Sequence, residues 1–217
     1  MPRRKVYVLV ACEESQEECK AFRDAGFVAF SCDLQKCGRK ANPSWHIHGD
    51  VMPYLYGRYE FKTMDGRRHH VPRWDLIVAH PPCTYLCKLS SVQLLKGGHL
   101  DMNRYMKMIE AREFFFKCLN CLAPFVAVEN PLPMARACLP TPSCYADPAW
   151  YGYRYRKKTL YWTKNLPPLF AQVINPNAAQ LVHCSRGKYR ARTSPNLAMA
   201  IAKQWGQYVK QHLNETL

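Results

Sequence analysis

In the segment His80-Pro81-Pro82-Cys83 a cysteine follows directly on a proline pair. Such a pair fixes the backbone approach and leaves the sulfur in a loop, which suits a nucleophile, although a small packed turn residue has the same local sequence. To react as a thiolate near neutral pH, Cys83 needs cations nearby. Lys88 is close in sequence, whereas Arg154, Arg156, Lys157 and Lys158 must be brought by the fold. Glu129 follows the wholly apolar stretch 125–128, FVAV. A carboxyl group there is expected to be partly desolvated, raising its pKa toward general-acid range; a helix-cap or ion-paired carboxylate is the plainer alternative. Together, a thiolate and a protonated carboxyl could add to an electron-poor ring carbon while holding the adjacent ring nitrogen.

Other constellations carry less. Cys32, Cys37, His46 and His48 have zinc-binding donor types, and Cys118 with Cys121 has the C-x-x-C spacing, but no matching second pair accompanies it. No metal is expected. Cys12, Cys19, Cys138, Cys144 and Cys184 read as packing or loop thiols. His69 and His70, after Arg67 and Arg68, read as a solvated or phosphate-facing basic patch. Trp150, Tyr151, Tyr153, Tyr155, Tyr161 and Trp162 could stack bases, with about half of them expected in the core.

The elements that must position these residues follow from hydrophobic patterning. Residues 6–11 (VYVLVA) form a short apolar run of the kind buried on both faces of a parallel sheet. Ser15 and Glu18 have capping-box spacing, Cys19, Phe22 and Ala25 recur at helical spacing, and Gly26 ends the segment. A second strand over 27–32 ends at Asp33. This unit opens a doubly wound α/β sheet, whose ligands lie beyond the carboxyl ends of the strands. Residues 35–74 are irregular, with a hairpin between 59 and 71 around Met64-Asp65-Gly66-Arg67. Further strands are expected at 75–79, 125–128 and 159–163, and helices at 101–122 and about 195–212. Strand ends would therefore carry Asp33, Cys83 and Glu129.

Composition bounds the rest. The 217 residues suffice for one domain, and 48% hydrophobic content excludes disorder of the whole chain. Lys and Arg number 31 against 16 Asp and Glu, a formal charge of +15, which points to a polyanionic partner such as nucleic acid. Residues 148–214 hold no acidic residue and 11 Lys and Arg. No secretory signal is apparent, so the 11 cysteines are expected to stay reduced, and no apolar run approaches the roughly 20 residues that span a bilayer. The expectation is an intracellular, cytoplasmic protein with no membrane partner and no obligate protein partner.

The ordered segments ACEESQEECKAFRDAGF, CDL, GDV, DLIVAHPPCTYL, VENP, YRYRKKTLYW and TSPNLAMAIAKQW resemble the successive motifs of S-adenosylmethionine-dependent cytosine-5 DNA methyltransferases. The chain looks most like the small versions often encoded by phages, for which the location would be the host cytoplasm. The resemblance spans residues 6–205. It implies a Rossmann-like methyltransferase fold: α/β, a mostly parallel twisted sheet with helices on both faces, forming a single catalytic domain over 1–217 without a sizeable target recognition domain. It implies further that Cys83 attacks carbon 6 of cytosine, that Glu129 contacts ring nitrogen 3, and that Arg154 and Arg156 contact the target nucleotide and the catalytic loop. Pro82, Asn130, Lys157 and Lys158 would line the substrate side. For S-adenosylmethionine it implies Asp33, beside Leu34, at the ribose hydroxyls, Asp50 at the adenine amino group, residues 11–15 (Ala11, Cys12, Glu13 and Ser15 among them) at the methionine end, and Pro81 beside them.

Three features depart from that family. No glycine lies between Ala11 and Gly26, the loop reads HPPCTYL rather than Pro-Cys-Gln, and Glu-Asn is followed by Pro131. Only residues 159–192 separate the basic motif from the final helix, leaving little room for base-edge readout. DNA with short or relaxed context is the favoured substrate. A cytosine mononucleotide (CMP or dCMP) and a non-catalytic nucleic-acid-binding role are the alternatives.

Overall fold

The computed structural model describes residues 4–180 and 192–215, so Cys184 lies outside the described residues. The chain begins with β1 (Tyr7–Ala11), α1 (Glu17–Asp24) and β2 (Val28–Asp33), the expected strand-helix-strand unit. It continues through β3 (His46–His48), the single turn α2 (Met52–Leu55), a hairpin of β4 (Glu60–Lys62) and β5 (Arg68–His70), and then β6 (Leu76–Ala79). A small hairpin of β7 (Leu95–Lys96) and β8 (His99–Leu100) precedes the long α3 (Met102–Leu119). Next come β9 (Phe125–Asn130), β10 (Cys144–Ala146), β11 (Tyr155–Arg156), β12 (Thr159–Lys164) and β13 (Ala179–Gln180), and the helix α4 (Pro195–Glu215) follows.

Among the described residues one sheet has seven strands in the order β10-β12-β9-β6-β1-β2-β3. The pairs from β9 to β3 are all parallel, while β12 runs antiparallel to both β9 and β10. The fold is thus α/β and Rossmann-like, with the chain winding outward in both directions from a switch point between β1 and β6. Helices cover both faces. Leu9, Ile77, Val126, Val128 and Trp162 pack with Met108, Phe115 and Cys118 of α3 on one side. On the other, Val8, Val78, Ala127 and Tyr161 pack with Phe22 of α1 and Ile201 and Trp205 of α4.

Register sets up the chemistry. Ala11 pairs with Cys32 and with Ala79, Ala79 with Val128, and Val128 with Trp162, which makes one row across the sheet. One step toward the carboxyl ends of the parallel strands stand Asp33, Cys12, His80 and Glu129, and the antiparallel β12 places Tyr161, the residue before Trp162, opposite Glu129. Side chains alternate between faces along a strand. His80, Glu129 and Tyr161 accordingly emerge on the face that α1 and α4 cover, at the carboxyl edge of the parallel strands.

Several expectations are corrected. The Ser15–Glu18 capping box does not form: Gln16 occupies the N-cap with φ 61° and no side-chain cap, and the Glu13 carboxylate reaches α1 instead, accepting from the Glu18 and Cys19 amides at 2.7 and 3.2 Å. The reason is that Glu18 turns into the interior and is fully buried. The helix expected over 101–122 stops at Leu119, because the chain turns away and Leu122 N donates to Leu55 O at 3.1 Å. The strand expected over 125–128 runs on to Asn130, since β12 pairs with it that far. β3 is an addition within the stretch read as irregular, its buried His46 ring satisfied by Ser31 Oγ at 2.8 Å and Gln35 O at 2.9 Å. His69 is packed rather than phosphate-facing: it stacks on Phe61 with ring centroids 5.4 Å apart and meets Thr63 Oγ1 at 3.1 Å. Among the described residues no helix is long and apolar enough to cross a membrane.

Candidate active site

The loop that carries Cys83 is clamped to the segment after β9. Lys88 N donates to Leu132 O at 2.8 Å and Met134 N to Leu86 O at 2.7 Å, with a further bridge between Cys87 and Pro133. Within the loop, Leu86 N and Cys87 N both donate to Cys83 O at 3.0 Å. These bonds hold the Pro-Pro-Cys turn beside the Glu129-Asn130-Pro131 corner, so two motifs far apart in sequence share one edge. Pro81 is buried, Pro82 exposed and Cys83 half-buried.

The electrostatics of this edge differ from the expectation for Glu129. Burial would raise its carboxyl, but the His80 hydrogen bond, the Lys157 charge and the His80 charge outweigh burial, and the net direction is downward. Glu129 rests as a carboxylate. Cys83 moves the other way: burial, then Cys87 and Glu129, push its thiol up to about 11 against the opposing charge of Lys157. The resting pair is therefore thiol and carboxylate, the reverse of the protonation states that ring attack requires.

Lys157, rather than Lys88, is the cation that acts on both groups. The other members of the basic cluster are occupied at their own positions. Arg154 lies 4.9 Å from the Tyr155 ring centroid and Lys158 4.6 Å from that of Tyr145. Arg156 donates to Pro176 O at 3.1 Å and Ala178 O at 3.3 Å. A cavity of about 110 Å³ opens beside Lys157, lined also by Glu17, Tyr153, Tyr155, Arg192 and Ser194. Of the aromatic series, Tyr153 and Tyr155 thus border open space, whereas Tyr161 and Trp162 belong to the core. Asn130 is fully buried, and its side-chain atoms have no hydrogen-bond partner among the described residues.

Around β1 and β2 the residues expected at a cofactor also converge. Cys12 N and Glu13 N donate to Cys32 O at 2.7 and 3.3 Å, folding the turn after β1 onto the end of β2. Burial first, then Asp33 and Asp50, raise the Cys12 thiol to about 12, which places both carboxylates near that turn. Asp33 Oδ1 accepts from Gln35 N at 2.7 Å and Asp50 Oδ1 from Met52 N at 2.9 Å, so each carboxylate is oriented by its own loop. Leu34 beside them is exposed. The turn lacks glycine, yet Cys12 (φ 60°) and Gln16 (φ 61°) hold the left-handed backbone that glycine favours. Both side-chain oxygens of Glu13 cap α1. Ser15 makes no cap.

Two residues have a place that sequence did not assign. His80 stands between Glu18 and Glu129, and Glu18, expected as a capping-box residue, is instead buried beneath the sheet edge. The available signal was the position of His80, immediately before the proline pair.

No protein-family model matches the sequence, and no curated protein matches it. Among solved structures, the chain is similar to a protein described as a DNA modification methyltransferase encoded within a prophage of E. coli, with 13% identity and a TM-score of 0.46 over 79% of this chain and 52% of that one. The chain spans about half the length of that protein.

Proposed function

We propose that the protein is an S-adenosylmethionine-dependent methyltransferase that modifies carbon 5 of cytosine in DNA, as a single catalytic domain without a sizeable target recognition domain. The observation that supports this reading best is the clamping of the Cys83 loop against the Glu129 corner at the sheet's carboxyl edge, with Lys157 acting on both groups.

On this reading the Cys83 thiol gives up its proton to Glu129, relayed by solvent, as Sγ bonds to ring carbon 6 and the electron pair of the 5,6 double bond moves into the ring. Glu129, now protonated, donates to nitrogen 3, which stabilises the charge that develops there and leaves carbon 5 nucleophilic. Once carbon 5 carries the methyl group, water takes the carbon 5 proton, the freed electron pair restores the double bond, and the sulfur departs as a thiolate that is reprotonated as Glu129 releases its proton. When bound, S-adenosylmethionine supplies an electrophilic methyl group by direct displacement. The residues at the β1 and β2 ends fit its polar groups: Asp33 suits ribose hydroxyls, Asp50 an exocyclic amine, and the tight turn at Ala11 and Cys12 a close backbone approach. Lys157 and the tyrosines at the neighbouring cavity serve the nucleotide, and a duplex target must flip its base out to reach Cys83. Arg154 and Arg156 support the loops around it. The formal charge of +15 favours a polymer over a mononucleotide, which needs only a few cations.

The test is incubation with DNA containing 5-fluorocytosine together with the cofactor. The fluorine cannot leave as a proton does, so a covalent adduct at Cys83 is expected, detected by mass and absent in Cys83→Ala. Labelled methyl appearing in dCMP but not DNA would move the substrate to the nucleotide. Neither adduct nor label, with DNA still bound, would overturn the enzymatic reading in favour of a non-catalytic binder.

A further inference from the structure

We propose that His80 is a positioning residue: its ring bridges the buried Glu18 and the strand-end Glu129, holding Glu129 Oε2 so that Oε1 is the oxygen presented to a bound base. The role rests on the reading above, in which Glu129 meets the ring nitrogen.

Geometry carries it. His80 Nδ1 lies 3.4 Å from Glu129 Oε2, and Nε2 lies 3.2 Å from Glu18 Oε2. Both ring nitrogens therefore lie close to oxygens of acidic side chains, Nδ1 in a hydrogen bond with Glu129 and Nε2 in a charge contact with Glu18 in which neither atom has a hydrogen-bond partner among the described residues, and a doubly protonated imidazole suits both contacts. The ring cannot easily leave this place. Its own backbone donates to Ala11 O at 2.9 Å, and Pro81 follows directly. Glu18 is anchored as well, with no exposure and with Oε1 accepting from Thr193 Oγ1 at 2.9 Å.

Acidic side chains approach the ring from three elements. Glu18 faces it from α1, Glu13 from the preceding loop and Glu129 from β9, while the charge of Lys157 acts on Glu129. Tyr161 on β12 is near both Glu18 and Glu129, and its hydroxyl has no hydrogen-bond partner among the described residues. Burial opposes a charged His80, but Glu18 and Glu129 outweigh it and hold the ring's pKa well above the ordinary value. With a neutral or absent ring, two acidic side chains would face each other at this water-poor edge with no cation between them, and Glu129 would rotate away. A fixed imidazolium removes that freedom before the substrate arrives, so less reorganisation is left for the reaction.

The experiment uses the full chain with nitrogen-15-labelled histidine. Both ring nitrogens of His80 are expected to remain protonated at neutral pH, where an ordinary histidine is mostly neutral, and Glu18→Gln is expected to lower the ring's titration midpoint. In the second arm, the rate of fluorocytosine adduct formation at saturating DNA and cofactor is expected to fall about 100-fold in His80→Asn, with half-saturating concentrations nearly unchanged. Glu18→Gln, which keeps the fold's shape, should move the same rate in the same direction by a smaller factor. A neutral, single-tautomer His80 ring at neutral pH in the unmodified chain would overturn the proposal, as would a folded His80→Asn chain that forms the adduct at full rate. If the unmodified chain forms no adduct, the cytosine reading falls, and the ring spectrum alone decides whether His80 bridges the two acids.

Discussion

Glu129 Oε2 stands 3.4 Å from His80 Nδ1, and this contact is the main reason that a carboxyl group buried at the end of an apolar strand is held below, rather than above, its ordinary pKa. Burial alone points upward, and the imidazole and the Lys157 ammonium together reverse it. The consequence spreads to Cys83, whose thiol feels the Glu129 charge and sits at about 11. One acid thus rests ionised because a base is beside it, and one thiol is raised first by burial, with that ionised acid adding to the effect.

The first prediction concerns Cys83 itself. A thiol raised to about 11 is almost wholly protonated at neutral pH, so its reaction with iodoacetamide should accelerate about tenfold per pH unit up to that value. At fixed pH, Glu129→Gln should speed labelling and Lys157→Met should slow it, because the two charges act in opposite directions. Site-resolved mass spectrometry separates Cys83 from the exposed Cys138. Labelling of Cys83 independent of pH between about 7 and 10 would contradict the assignment.

A second prediction follows from linkage. His80 is raised in the fold, so its stabilising contribution is complete below the unfolded value of 6.5 and is lost as pH rises through the higher folded value. Glu13 is raised to about 8 by burial and by Glu18, and its contribution likewise declines as pH climbs from 4.5 toward 8. Both signs agree from about pH 6.5 to about 8, so the urea midpoint should fall across that window. In His80→Gln the fall should be shallower; an equal slope would show that the ring is not charged in the folded chain.

Gly206 tests the packing of α4 against the sheet. A Cβ there would stand 2.6 Å from Cε2 and 2.7 Å from Cζ of Phe27. That ring is buried and packs edgewise on Phe22 at 5.9 Å, so it cannot simply swing out. Helix propensity favours Ala over Gly by about 1 kcal/mol, while overpacking costs about 1 to 3. Gly206→Ala should be net destabilising by roughly 1 kcal/mol, visible as a lower thermal midpoint. A gain in stability would mean that the ring has room the structure does not show.

Asp75 anchors the entry to β6. It is fully buried, accepts from Tyr7 N at 2.9 Å, and meets Arg73 Nε at 2.6 Å and Arg4 Nη2 at 3.5 Å. Asp75→Ala should cost about 3 kcal/mol, since it strands the Tyr7 amide and leaves two guanidinium groups unpaired. Arg73→Ala should cost no more than about 1 kcal/mol, because that side chain is largely exposed and Arg4 remains. Equal losses in the two variants, read from denaturant midpoints, would refute this division.

If DNA is the substrate, its binding should weaken steeply as salt rises, by about a thousandfold or more between 50 and 200 mM for six or more phosphate contacts. Lys158→Gln should lower affinity on all sequences alike and flatten the salt dependence by about one charge. Filter binding or anisotropy over a salt series reads both, and salt-insensitive binding would exclude the polyelectrolyte contact.

The sequence by itself determined the α/β alternation and the central strands, because buried parallel strands demand continuous apolar runs that leave a clear trace at 7–11, 76–79 and 125–128. It also determined that Asp33, Cys83 and Glu129 fall at or beyond strand ends. It was silent on β3, a three-residue strand whose central residue, Ile47, is flanked by two histidines, since so short an element has no periodicity to detect. Only the tertiary structure decided that Glu18 is buried, that Lys157 is the cation beside Cys83, and that His80 faces two acids. Those outcomes depend on sheet register and on which helix covers the edge. The charge state of a side chain is set by neighbours within a few ångströms, and residues 18, 80, 129 and 157 become neighbours only when the strands align.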